Sequence, residues 1–136
     1  MNVQIYNETQ RKRIPKKKIK DTVEKVLNHF GQDGTINLVI VGEDAILQLN
    51  KEYLGHDYIT DVISFNLSEG KDLLGEVYIC LQQAERQATE YNVSLENELL
   101  RLAIHGVLHI LGFEDDTFDK KSEMHKLEDM FLEDIR

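Results

Sequence analysis

RLAIHGVLHILGFEDD, residues 101–116, sets two histidines four positions apart within a run of helical period. At that spacing both rings project from one face, about one turn from each other, and can chelate one ion. Gly112 follows His109 by three residues. A glycine there can take a left-handed conformation, end the helix and fold the chain back across the pair. Glu114, Asp115 and Asp116 arrive on the returning segment. The order H-x-x-x-H-x-x-G-x-x-[HD] is that of metzincin-like metal sites and puts the third ligand at Asp115, with Glu114 and Asp116 as neighbouring donors. The histidine pair alone reads as easily as two satisfied core histidines; the glycine and carboxylate at their offsets decide for metal. Zinc peptidases of the H-E-x-x-H type carry a glutamate directly after the first histidine as general base. Gly106 stands there, which disfavours a peptidase.

Outward from this segment, Leu95, Leu99, Leu102, Ala103 and Leu108 keep helical spacing, and Ser94 with Asn97 and Glu98 suits a helix start. The helix is expected at the centre of the core. Met124, Leu127, Phe131 and Ile135 repeat the pattern in a last helix. Upstream, Leu81, Ala84, Ala88 and Tyr91 share a helical face. LGEVYIC (74–80) and ITDVISFN (59–66) read as strands joined through the polar turn SEGKD as a hairpin. In the second strand Asp61, Ile63 and Phe65 fall on one face and Thr60, Val62 and Ser64 on the other. TINLVIVG (35–42) is β-branched and reads as a buried strand, followed by a short helix through Ile46, Leu49 and Tyr53. Pro15 opens a helix carrying Ile19, Val23, Val26, Leu27 and Phe30 that ends near Gly31. The expectation is an α+β fold: a small mixed sheet of about four strands packed by about five helices, with the metal site at the end of the central helix. A chain of 136 residues fits one domain, residues 1–136.

Hydrophobic residues make up 41% and charged residues 30% of the chain, as in soluble globular proteins. No segment approaches a membrane span, and the N-terminus has no secretory h-region, so a cytoplasmic protein is expected. A single cysteine, Cys80, rules out an internal disulfide and a cysteine zinc knuckle, leaving histidines and carboxylates as metal donors. The net charge of −9 argues against broad nucleic-acid binding. Residues 1–20, however, carry +6, through Arg11, Lys12, Arg13, Lys16, Lys17, Lys18 and Lys20 against Glu8. A local stripe of that kind can hold a phosphate backbone on an acidic body, although a solvated helix start has the same composition.

Three blocks carry a resemblance. HGVLHILGFED is similar to the signature H-G-x-L-H-L-x-G-Y-D-H of the YbeY family of ribosomal-RNA maturation endoribonucleases. NKEYLGHDYITDVISFN resembles that family's N-x-x-Y-R-G-K-D-x-x-T-D-V-L-S-F-P block, and LGEVYI its L-G-D-I-x-I block. The resemblance implies a metal held by His105, His109 and Asp115, and single-strand endoribonuclease activity in small-subunit ribosomal-RNA processing and ribosome quality control. It implies single-stranded RNA and the ribosomal small subunit as partners. The chain departs from the pattern at two ligand-relevant positions. Asp115 replaces the usual third histidine, which zinc accepts and which also suits nickel, manganese or iron. Leu54 replaces an arginine that could clamp a phosphate.

Asp61 is the candidate general base, hydrogen-bond partner of a ligand histidine, or turn former. Ser64, His56, Arg13 and Lys17 are candidate substrate contacts, His56 as a partial replacement for the missing arginine charge. The alternatives to a one-zinc endoribonuclease are a ribosome-biogenesis binding factor with a structural metal and, behind it, a metallopeptidase.

Overall fold

Val3 and Ile5 alternate with Gln4 and Tyr6, and this period of two makes Asn2–Asn7 a strand, β1. A computed structural model describes residues 1–135, with side chains placed through Glu133. β1 is the element missing from the sequence-based expectation. Its six residues hold only two core-facing apolar side chains, too few for a strand signal without the neighbour it pairs with. That neighbour is β2 (Gly34–Val41), which runs parallel with Val3 opposite Ile36. On its other side β2 pairs in parallel with β4 (Leu73–Cys80), Leu38 facing Val77. β3 (Val62–Asn66) adds antiparallel to β4, so the mixed sheet has the order β1-β2-β4-β3. The expected hairpin is therefore present, but β3 starts at Val62 rather than residue 59. Asp61 explains the difference, because its Oδ1 accepts the Val62 N–H at 2.8 Å and turns the chain locally.

Five helices complete the α+β fold among the described residues: α1 (Lys16–His29), α2 (Glu43–Leu54), α3 (Leu81–Glu90), α4 (Leu95–Ile110) and α5 (Phe118–Ile135). One sheet face, with Ile36, Leu38, Ile40, Val77 and Ile79, packs against α1, α4 and α5 in the main core. The other face is thinly covered: Val41, Ile63 and Cys80 meet Ile46 of α2 in a small second cluster, with Leu49, Val39, Phe65 and Tyr78 partly buried around it. The side chain of Ile135 lies outside the described residues. Among the described residues no helix is long and apolar enough to cross a membrane.

α4 is buried on almost every side, touching α1, α3, α5, β3 and β4. Its start is fixed by Ser94, whose Oγ accepts the Asn97 N–H at 3.0 Å. Gly106 sets how closely it lies on the sheet. A Cβ there would stand 2.5 Å from Val77 Cγ1 and 3.1 Å from Ser64 Oγ, so only glycine lets the helix descend to this depth. The same contact explains why the base position of an H-E-x-x-H motif is not available: it points into the sheet.

Candidate metal centre

The end of α4 brings the candidate ligands together. Gly112 has φ +100°, its N–H bonds to the His109 carbonyl at 3.0 Å, and the Phe113 N–H reaches back to the Leu108 carbonyl at 3.0 Å. This paired closure is a Schellman motif, with Phe113 packing on the core as its hydrophobic anchor. The reversed chain then carries Asp115 across the helix end. His105 Nε2 and His109 Nε2 lie 3.0 Å apart, and Asp115 Oδ2 lies 3.4 Å from the first and 3.5 Å from the second.

These distances are those of one face of a coordination tetrahedron. Ligand atoms bound to zinc at about 2.0–2.1 Å are separated by about 3.3 Å in tetrahedral geometry. Two imidazole nitrogens pointed at each other and at a carboxylate oxygen need a shared cation or protons between them. The donor set fits one zinc-sized ion, and it is the one such cluster of three among the described residues. The side chains of His105, His109 and Asp115 are 21%, 31% and 37% exposed, so the cluster opens to solvent on one side. An open position of that kind separates catalytic from structural zinc sites.

The residue that orients the first candidate ligand, His105, is one that sequence reasoning missed. Glu128 of α5 is 1% exposed and accepts a hydrogen bond from His105 Nδ1 at 2.7 Å. With Nδ1 engaged, Nε2 is the nitrogen left to face the ion. The other oxygen of Glu128 accepts from Arg101 Nη1 at 3.0 Å, and Arg101 Nη2 reaches Asp129 at 2.7 Å. Burial pushes the His105 imidazole down, but the Glu128 hydrogen bond and the charges of Glu128, Asp115 and Asp61 outweigh it, and the pKa is raised. Burial likewise pushes Glu128 up, yet its bond to His105 and the charges around it hold it below the usual carboxylate range. A faint signal existed in the sequence. Glu128 sits on the apolar stripe of α5 between Met124 and Phe131, and Glu98 and Arg101 precede His105 by seven and four residues on one face of α4.

Asp61, on the loop before β3, lines the same cavity as His105 and Asp115, and its charge helps raise the His105 pKa. Ser64 lies on the helix-facing side of β3, where its hydroxyl donates to the Gly106 carbonyl at 2.8 Å and ties sheet to helix. His56 stacks on Tyr58 in an exposed loop, ring centroids 5.2 Å apart, and does not line that cavity. Leu54 ends α2 in an exposed position. Arg13 borders a surface depression with Leu95, Glu96 and Leu99, at the opposite end of α4 from the histidines. Lys17 pairs with Asp21 at 2.8 Å one helical turn on.

Comparison with known proteins bears on this arrangement. A family model described as endoribonuclease YbeY matches residues 4–136. The chain is 42% identical over 129 residues to an endoribonuclease YbeY of Chloroherpeton thalassium, covering 94% of this chain and 92% of that one. An endoribonuclease YbeY of Thermotoga petrophila is 36% identical over 118 residues, 86% of this chain and 78% of its own. A solution structure of a Thermotoga maritima protein superposes with a TM-score of 0.70 at 31% identity, covering 98% of this chain and 88% of that one.

Proposed function

The chain belongs to the endoribonuclease YbeY family, and from that membership we propose that its single domain, residues 1–136, is a metal-dependent endoribonuclease. Its substrate is single-stranded RNA, in the maturation of small-subunit ribosomal RNA in the cytoplasm. The observation that carries the reading is the partly exposed triangle of His105, His109 and Asp115, which fits one divalent ion and leaves one side for substrate. Zinc suits two imidazoles and a carboxylate; nickel, manganese and iron suit them as well. When bound, the ion supplies Lewis-acid stabilisation of charge on a phosphoryl oxygen.

The chain's own residues do the rest. Glu128 fixes the ring of His105 and so the direction of its Nε2. Asp61 stands beside the ligands with a carboxylate able to take a proton from the attacking group, which is a general base in the right cavity. Lys121, on the cavity wall, supplies positive charge for a phosphate, while Arg101 beside it is held by Glu128 and Asp129. Lys12, Arg13 and Lys16 in the N-terminal stripe hold more distant phosphates of a longer strand, which makes long RNA bind more tightly than short RNA. Ser64 acts through packing, holding β3 on α4.

The test is cleavage of a labelled single-stranded RNA by the purified chain loaded in turn with zinc, nickel, manganese or iron, beside His109→Ala. Duplex RNA and a peptide serve as alternative substrates. Metal-dependent cutting of the single strand that disappears in His109→Ala supports the proposal. Stoichiometric metal binding with no cutting of any RNA overturns it in favour of a binding factor, and association with ribosomal subunits is then the activity to measure.

A further inference from the structure

The cavity that begins at His105 and Asp115 extends along α4 to Glu98, two helical turns away or about 10 Å. It measures about 400 Å³, within the range of small-molecule sites. Glu98 lines it and is 1% exposed. One carboxylate oxygen accepts from Gln87 Nε2 at 2.7 Å. The other, Oε1, is the single buried side-chain polar atom without a hydrogen-bond partner among the described residues. Buried acceptors are almost always satisfied, so an unmet one on a residue that lines a cavity points to a donor that arrives with a ligand and draws the side chain toward it. Burial pushes the Glu98 carboxyl up, against the pull of Gln87 and Arg101, so a donor brought to Oε1 would favour its charged form. Tyr91, 57% exposed, stands at the same cavity with its ring free to stack.

We infer that this cavity is a nucleobase subsite next to the metal centre, in which Tyr91 stacks the base and Glu98 Oε1 accepts a hydrogen bond from an exocyclic amine. The inference rests on the ribonuclease reading above and deepens it to a preference for one kind of base. Single-stranded RNA is read in this way, by stacking on aromatic rings and hydrogen bonds to splayed base edges. Adenine, cytosine and guanine each carry an amine. Uracil offers only an N–H flanked by two carbonyl oxygens, which would face the carboxylates of Glu98 and Asp61. The Gln87 amide is itself oriented, because its Oε1 accepts from Gln83 at 3.1 Å, so Gln87 donates to Glu98 and cannot be turned to serve uracil.

The experiment is a calorimetric titration of the zinc-loaded full chain with the four ribonucleoside 5′-monophosphates, with zinc content measured in every variant. The wild type should bind AMP, CMP and GMP at least about tenfold more tightly than UMP, the worth of one hydrogen bond to a charged group. Glu98→Gln keeps the shape, but with its amide oxygen held by Gln87 it turns an N–H toward the cavity. The discrimination against UMP should vanish or reverse. Tyr91→Ala should weaken all four nucleotides and leave their order unchanged. Equal binding of the four by the wild type, retention of the preference in Glu98→Gln, or no binding at millimolar concentration each overturns the subsite. Selective nucleotide binding by a chain that cuts no RNA would leave the subsite standing and sink the ribonuclease reading instead.

Discussion

The two ends of α4 handle charge in opposite ways. At the N-terminal end Lys18 and Glu96 pair at 3.0 Å with both side chains about half exposed, and Arg13 borders an open depression. Toward the C-terminal end His105 is 21% exposed and Glu128 of α5, which packs against it, is 1% exposed, and the charges interlock through Arg101. Pairs of the first kind contribute little to stability because water already solvates both partners. Groups of the second kind have lost that water, and burial is tolerated only where each partner is held by another. A helix that could be apolar throughout carries its most expensive side chains beside the candidate ligands. The contrast teaches that the buried charge gathers where the candidate ligands stand.

Removing one member of the buried network should break the contrast most severely. Glu128→Ala strands His105 and Arg101, and a loss of about 3–5 kcal/mol is expected in urea unfolding of the metal-free protein. Glu128→Gln, which keeps the shape, should instead show itself as about 10–100-fold weaker metal binding. Gly106→Ala probes the depth at which the helix lies: its Cβ meets Val77, and overpacking should cost about 1–3 kcal/mol with the metal ligands untouched. If Gly106→Ala is neutral, the close descent of α4 onto the sheet is wrong.

The buried end should also be the pH-sensitive one. The His105 pKa is raised above 6.5, so its protonated form adds stability that is complete below 6.5 and is lost as pH rises through the raised value. Urea midpoints of the metal-free chain should therefore fall from pH 6.5 upward, whereas apparent metal affinity should climb over the same range as the competing proton leaves. A midpoint that rises over this interval would contradict the His105–Glu128 pairing. The smallest effect belongs to the exposed end, where Lys18→Ala should change stability by less than about 1 kcal/mol and vanish into the salt background.

Most of the frame was legible because it is local. Ser94, the apolar spacing of α4, Gly112 and the histidine pair lie within one stretch of chain, and the turn that delivers Asp115 is encoded by the glycine itself. What escaped depends on partners far along the sequence. β1 is a strand because Val3 and Ile5 find β2 more than thirty residues later. Glu128 acts on His105 across 23 residues, and nothing in α5 alone distinguishes it from a surface glutamate except its place on the apolar stripe. Ser64 looks like a substrate contact in a strand, yet its hydroxyl lies 2.8 Å from a helix carbonyl 42 residues on. Asp61 meets His105 only because the folded chain sets the loop before β3 against α4, 44 residues apart in sequence.

One ion at His105, His109 and Asp115 is proposed to make this chain a ribonuclease. Zinc titrated into the metal-free protein, with bound metal and cleavage of single-stranded RNA read from the same samples, tests it most directly. Both signals should rise together and saturate at one equivalent, and both should be lost in His109→Ala. Cleavage already complete before any metal is added, or unchanged in His109→Ala, would contradict it.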